Sequence, residues 1–178
     1  MKWWSFTGHH FSISNGGGII MIHEISLITN HDILELLSLQ LASYRVEAEL
    51  TGFDEILPLN DGIASIRETN ENFLGFYVVN ESKPVLVGAI SYAREGGTVT
   101  ICRLMVHPNY FRQGIARQLL ATVIQNQEHL DASRFVVSTG ATNLPALQLY
   151  RSLRFTERGA RTMNPGITLI TLERPAHI

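Results

Sequence analysis

The chain has one cysteine, six prolines and no block of like charges among its 178 residues. A lone thiol, Cys102, excludes an intramolecular disulfide framework and a cysteine-rich zinc site, and nothing points to an oxidising compartment. Fourteen basic residues against sixteen acidic ones leave a formal charge of −2. Phosphate contacts supply most of the affinity for nucleic acid and need a basic stripe, so nucleic acid is not an expected partner. No apolar run approaches the ~20 residues of a membrane span, and the chain is expected to be soluble and cytoplasmic, with no membrane partner. The strictly spaced motifs are missing as well: there is no G-x-x-x-x-G-K-[ST], no G-x-G-x-x-G after the first strand, and no H-E-x-x-H. P-loop, dinucleotide and zinc-protease readings therefore fall away, and no metal is expected.

What is present is ordinary globular text, 45% hydrophobic and 17% charged, long enough for one domain. Residues 1–20 stand apart. They hold Trp3, Trp4, the pair His9-His10 and the run Gly16-Gly17-Gly18, without strand alternation or a capping signal, and read as a non-essential extension or a cloning remnant. Residues 21–178 read as a single domain. Ile22 to Ile28 alternates like a strand. Thr29-Asn30-His31-Asp32 is a capping-box sequence, followed at helical spacing by Ile33, Leu36, Leu37, Leu41 and Tyr44. Val46 to Asn60, with Gly52 and Pro58, reads as a loop or broken helix, and Ile63 to Arg67 as a short helix. Phe73–Val79, Val85–Tyr92 and Thr98–Val106 form a strand meander, turning at Asn80-Glu81-Ser82-Lys83 and Glu95-Gly96-Gly97. Ala116, Leu119, Leu120, Val123 and Ile124 then form a helical stripe, Phe135–Ser138 a short strand, and Ala146, Leu149, Tyr150 and Leu153 a second stripe. Two last strands, Thr156–Met163 and Ile167–Leu172, flank Asn164-Pro165-Gly166. The fold class is mixed α/β (α+β), a mostly antiparallel central sheet flanked by helices.

The most informative stretch runs from Arg103 to Arg117. A strand ends at Val106, Pro108 breaks the ladder, and a turn carrying Gly114 feeds a long helix. Backbone amides in such a turn, with the helix dipole behind them, suit a pyrophosphate, and Arg112 and Arg117 add positive charge. An ordinary tight corner has the same pattern. Cys102 reads as a small buried hydrophobe in mid-strand rather than a nucleophile, since no base is paired with it in the sequence.

Gln113-Gly114-Ile115-Ala116 after the Val106-His107-Pro108 exit resembles the acetyl-CoA pyrophosphate loop of the GNAT N-acetyltransferase superfamily, [RQ]-x-x-G-x-[GA]. Asn143-Leu144-Pro145-Ala146-Leu147-Gln148-Leu149-Tyr150, running on to Phe155, resembles that superfamily's N-x-x-A-x-x-L-Y-x-x-x-G-F segment. The resemblance covers the whole chain except residues 1–20. It departs at Phe111, where Arg or Gln is usual, and at Arg112 and Arg154, where Gly is common. The resemblance implies a sheet splayed at the cofactor site, with acetyl-CoA as co-substrate. Its contacts would come from Leu104, Met105, Val106, Phe111, Arg112, Gln113, Gly114, Ile115, Ala116 and Arg117, with Asn143 capping the second helix and touching the cofactor. It also implies direct transfer of acetyl to a primary amine of a small molecule or of a peptide or protein, with Tyr150 as general acid for the departing thiolate and no acyl-enzyme.

A base is wanted for the amine, and the strand Thr98–Val106 carries no carboxylate. Glu49 is the candidate catalytic base, beside Glu47 and a bound water, and Tyr44, Glu47 and Arg103 are candidates for acceptor binding. Glu47, Glu49, Asp54, Glu55 and Asp61 crowd the acceptor-side segment, which fits a cationic acceptor such as a polyamine or equally a solvated acidic loop. A homodimer is compatible with the family. The competing reading is a GNAT-like module that holds CoA as a sensor without turnover, and a third is transfer of a longer acyl group.

Overall fold

The computed structural model describes residues 11–15, 18–51, 61–80, 83–164 and 167–176. Trp3, Trp4, His9-His10, Gly16-Gly17, Gly52, Asp54, Glu55, Pro58, Glu81-Ser82 and Pro165-Gly166, all singled out above, lie outside them. Strands β1 (Phe11–Asn15) and β2 (Gly18–Glu24) are followed by helices α1 (Asn30–Thr51) and α2 (Ile63–Glu68). Next come β3 (Asn72–Asn80), β4 (Lys83–Glu95), β5 (Thr98–Val106), α3 (Ile115–Glu128), β6 (Arg134–Gly140), α4 (Leu144–Ser152), β7 (Thr156–Asn164) and β8 (Ile167–Pro175). The strands form one sheet in the order β1-β2-β3-β4-β5-β6-β8-β7. Every neighbouring pair is antiparallel except β5 and β6, which are parallel and joined through α3. No helix among the described residues is long and apolar enough to cross a membrane.

Three boundaries differ from the sequence reading. The strand read as Ile22–Ile28 is Gly18–Glu24, so Met21 falls inside β2. Phe11-Ser12-Ile13-Ser14 does alternate, and it pairs with β2 from Phe11↔Ile22 to Asn15↔Gly18. The glycine run next to it obscured that signal. Helix α1 does not stop at Val46 but continues to Thr51, which carries Glu47 and Glu49 on helix rather than loop. Its start is as read: Asp32 N–H donates to Thr29 Oγ1 at 3.2 Å while Thr29 Oγ1 donates to Asp32 Oδ2 at 2.6 Å. The buried stripe runs through Ile33, Leu36, Leu39, Tyr44 and Ala48, and Leu41 is 42% exposed.

The sheet is covered on both faces. One core joins α3 (Ile115, Leu119, Leu120, Val123, Ile124) to Val87, Ile90, Val99, Ile101, Val106 and Val137, and takes in Leu147 and Tyr150 of α4 and Phe155. The other joins α1 and α2 (Ile33, Leu36, Leu39, Tyr44, Ile66) to Phe73, Tyr77, Leu86, Ala89 and Met105. Between these layers β4 is buried on both sides from Leu86 to Ser91. Gly88 permits close approach of α3, since a Cβ there would stand 2.6 Å from Ile115 Cγ2.

A bulge in β5 rephases the strand. The β4 partners step from Ser91↔Arg103 to Tyr92↔Ile101, leaving Cys102 as the extra residue. Val99 and Ile101 face α3, as do Leu104 and Val106, whereas Met105 faces α1. Strict alternation would have put Arg103 beside Val99 and Ile101. The bulge turns it to the α1 side.

Candidate active site

Strands β5 and β6 pair only from Thr98↔Arg134 to Ile101↔Val137. Beyond that point β5 continues to Val106 and β6 to Gly140, so their facing edges separate. Strand β6 is held on its other edge by β8 as far as Gly140↔Leu169, and β5 by β4 as far as Val106↔Gly88. This is the splay that the resemblance implies, and it puts Leu104, Met105 and Val106 on one of its arms. Val106 N–H donates instead to Ser43 Oγ of α1 at 3.3 Å, a contact without a signal in the sequence.

Past Val106 the chain makes one 3-10 turn, Pro108–Tyr110, with Tyr110 N–H on the His107 carbonyl at 2.8 Å and Phe111 N–H on that of Pro108 at 3.1 Å. Arg112 and Gly114 then adopt left-handed backbone, φ 64° and 78°. Gly114 is the N-cap of α3 and accepts from Gln118 N–H at 3.0 Å. The amides of Ile115, Ala116 and Arg117 therefore lie in the first turn, where no intrahelical carbonyl serves them. A Cβ on Gly114 would meet nothing nearer than Gln118 Nε2 at 3.9 Å, so glycine is favoured there by φ rather than by crowding from the protein. Phe111, Arg112, Gln113 and Arg117 are exposed around this turn, and Arg117 Nη1 reaches across to Ser152 Oγ of α4 at 2.8 Å. A cradle of unspent amides at a helix start, open on its outer side, fits a pyrophosphate.

Both arginines that replace the common glycines occupy left-handed backbone, Arg112 at φ 64° and Arg154 at φ 67°. At both departures the backbone lies in the left-handed region that glycine enters most readily.

Helix α4 presents Tyr150 inward. Asn143 caps it, Oδ1 accepting from Ala146 N–H at 3.2 Å, and Pro145 suits its first turn. Tyr150 is 5% exposed, with its ring 5.7 Å from that of Phe155. Burial, and secondarily the negative charge of Glu47, push its phenol well above the ordinary tyrosine range. Tyr44, 7% exposed on α1, is raised in the same way by burial, then by Glu47, with Arg103 opposing.

Of the two candidate glutamates, the helix turns them apart. Glu49 is exposed on the outer side of α1, and Glu47 lies inward, its Oε1 accepting from Asn143 Nδ2 at 2.9 Å. Desolvation raises the Glu47 carboxyl above the usual carboxylate range, against the lowering effect of that hydrogen bond.

Arg103 does not offer a free cation to an acceptor. Its guanidinium is 11% exposed, donates to both oxygens of Glu71 at 2.9 and 3.0 Å and to Gln40 Oε1 at 2.8 Å, and forms an ion pair with Asp61. Glu71, just ahead of β3, and Gln40 on α1 carried no sequence signal; they meet Arg103 only through the β5 bulge. Asp61, grouped above with the acceptor-side acids, is spent on this network. Cys102, the extra residue of the bulge, is exposed rather than buried. Partial burial and nearby Glu71 raise its thiol, which keeps it a poor nucleophile.

The family model for the Acetyltransferase (GNAT) family matches residues 33–155. The chain belongs to the GNAT acetyltransferase family. This GNAT domain is 40% identical over 121 residues to the UPF0157 protein YqkA of Bacillus subtilis strain 168, a match covering 68% of the chain and 34% of that protein. It spans about a third of the length of that curated relative. Among solved structures it resembles the ribosomal-protein-S18-alanine N-acetyltransferase of Escherichia coli, with 19% identity, TM-score 0.63, and coverage of 89% of this chain and 95% of that one. It also resembles the PaiA N-acetyltransferase of Thermoplasma acidophilum in complex with coenzyme A, with 15% identity, TM-score 0.64, and coverage of 85% and 97%. At these identities the likeness shows the fold.

Proposed function

We propose that this GNAT domain is an acetyl-CoA-dependent N-acetyltransferase that acts on a primary amine of a small molecule or of a peptide or protein, with Tyr150 as general acid. The observation that carries the reading is Tyr150 itself: a phenol buried in the core cluster that includes Val106 and Val137, kept protonated by burial and by Glu47. The amides of Ile115, Ala116 and Arg117, opened by the left-handed Gly114, would hold the pyrophosphate, and the arms of β5 and β6 the chain leading from it. Bound acetyl-CoA supplies an acetyl group activated as a thioester, whose C–S bond breaks as the acceptor's N–C bond forms. Tyr150 keeps a proton on Oη for the departing sulfur. With Cys102 turned outward and its thiol raised, the acetyl group passes directly to the amine.

The test is thiol release from acetyl-CoA across a panel of amines, for the wild type and Tyr150→Phe. The variant is expected to lose about 10²- to 10⁴-fold in kcat, the usual contribution of a positioned acid. Its CoA affinity and Tm should hold, because the ring and its packing are retained. Near-normal kcat would return Tyr150 to a packing role. CoA binding without amine-dependent thiol release from the wild type would favour the sensor reading instead.

A further inference from the structure

We propose that Asn143 is a positioning residue that ties the acceptor helix α1 to the helix carrying Tyr150, holding Glu47 as the proton acceptor for the incoming amine. The inference rests on the transferase reading above and extends it to the other side of the reaction.

The amide of Asn143 is divided between two tasks. Its Oδ1 caps α4 at Ala146 N–H, 3.2 Å away, and its Nδ2 donates to Glu47 Oε1 at 2.9 Å, across a sequence separation of 96 residues. With both ends engaged, the amide has one orientation. Capping alone does not call for this residue, since Asp or Ser serves as well at that position. Asp cannot donate at all, and a Ser hydroxyl would have to accept and donate through one short-reaching oxygen, whereas the Asn amide accepts at Oδ1 and donates from a separate atom, Nδ2. The choice of Asn is therefore explained by Glu47.

Glu47 is the carboxylate suited to the task. It sits one helical turn beyond Tyr44, and its charge acts on the buried phenols of both Tyr44 and Tyr150. Arg103 and Glu71 face the same place from β5 and the start of β3, through Tyr44. Asp61 and Glu71 are committed to Arg103, and their hydrogen bonds with it hold them below the usual carboxylate range despite desolvation. Such groups are poor proton acceptors. Glu49 faces away on the exposed side of α1. A carboxylate raised by desolvation is a better base than an ordinary one.

The proton count closes. As the N–C bond forms, the acceptor nitrogen gives one proton to Glu47. As the C–S bond breaks, Tyr150 gives one to sulfur. Passing the proton from Glu47 to the Tyr150 oxygen restores both groups for the next turnover.

The experiment compares wild type, Asn143→Asp, Asn143→Ser and Glu47→Gln. Asn143→Asp keeps the cap but removes the donor and sets a second carboxylate against Glu47. Two readouts are taken: the titration midpoint of the Glu47 carboxyl by carbon NMR, which needs no turnover, and the pH profile of kcat/KM. In Asn143→Asp the Glu47 midpoint and the acid limb of the profile should both move up by about one pH unit or more, as loss of a charge-assisted hydrogen bond dictates. Asn143→Ser, which removes the donor without adding a charge, should move them less, and both variants should keep Tm close to wild type because Asp and Ser still cap α4. Glu47→Gln should abolish the limb, and adding Asn143→Asp to it should shift nothing further. An unmoved NMR midpoint would overturn the positioning role. A moved midpoint with an unmoved rate profile would show that Asn143 holds Glu47 but that Glu47 takes no proton. A wild type lacking amine-dependent turnover, with the NMR shift intact, would overturn the transfer role and leave the clamp alone standing.

Discussion

Replacing Arg103 by methionine removes the cation that neutralises two carboxylates while roughly preserving the side chain's length. The three side chains are 11%, 18% and 15% exposed for Arg103, Asp61 and Glu71, so water can replace the lost partner only in part. Asp61 would keep its hydrogen bonds from Gln40 at 3.1 Å and Ser65 at 3.1 Å, and Glu71 its bond from Ser91. Neither would keep a counter-charge. Breaking such a pair by deleting one partner costs about 3–5 kcal/mol. At ~2–4 °C per kcal/mol for a domain of this size, Tm should fall by about 6–20 °C at pH 7. The pH dependence gives a second check. In the wild type desolvation raises both carboxyls, yet the bonds from Arg103 outweigh it and hold both below their ordinary values of 3.8 and 4.5. A depressed carboxyl contributes stability above its unfolded pKa and loses it as pH falls through the folded one. In Arg103→Met desolvation is opposed only by the remaining hydrogen bonds, those from Gln40, Ser65 and Ser91 among them, so the depression weakens and protonation costs the variant less than it costs the wild type. The Tm gap between the two proteins should be widest at neutral pH and narrow steadily towards pH 4. Thermal melts followed by circular dichroism across that range measure it. A gap below about 2 °C at pH 7, under 1 kcal/mol on the same scale, or one independent of pH, would refute the assignment of Arg103 as the hub.

Gly114→Val forces a branched residue into φ 78° and should cost about 1–2 kcal/mol of stability, with CoA affinity reduced tenfold or more by calorimetry. Gly114→Asn tolerates that backbone, so an affinity loss at unchanged Tm would isolate the cofactor effect from strain. Arg154→Gly should stabilise the domain by about 0.5–1 kcal/mol, raising Tm by ~1–4 °C, because φ 67° at the end of α4 suits glycine; a lower Tm would show that the arginine side chain outweighs its backbone cost. A chain starting at Gly18 loses only the edge ladder of β1 on β2 and is expected to keep its activity with a small drop in Tm. One starting at Met21 should lose stability, since it removes Ile19↔Val79 and Ile20↔Val78 from the β2–β3 ladder and Ile20 from the core edge. Equal melts for the two truncations would show that those pairs contribute nothing.

Local chemistry wrote the elements that hold the site. The alternation of Thr98–Val106, the stripe from Ala116 to Ile124 and the Thr29–Asp32 capping box each form through neighbours close in sequence, and each is where the sequence places it. The turn at Gly114 and the Asn143-to-Tyr150 frame are likewise contiguous, so pattern alone located the candidate cofactor loop and the candidate acid. Only the tertiary structure decided which carboxylate faces Tyr150. Glu47 and Glu49 are two residues apart, and choosing between them requires knowing that α1 runs unbroken to Thr51 and which of its faces meets Asn143. The fate of Arg103 was equally hidden, because one extra residue at Cys102 reverses the face of everything after it in β5. A bulge depends on the register of two strands, and register is a property of the pair rather than of either segment. The sequence by itself therefore determined the elements and the family to which the chain belongs. Folding determined the charges of the site, since a carboxylate's burial and partners come from segments up to 96 residues away.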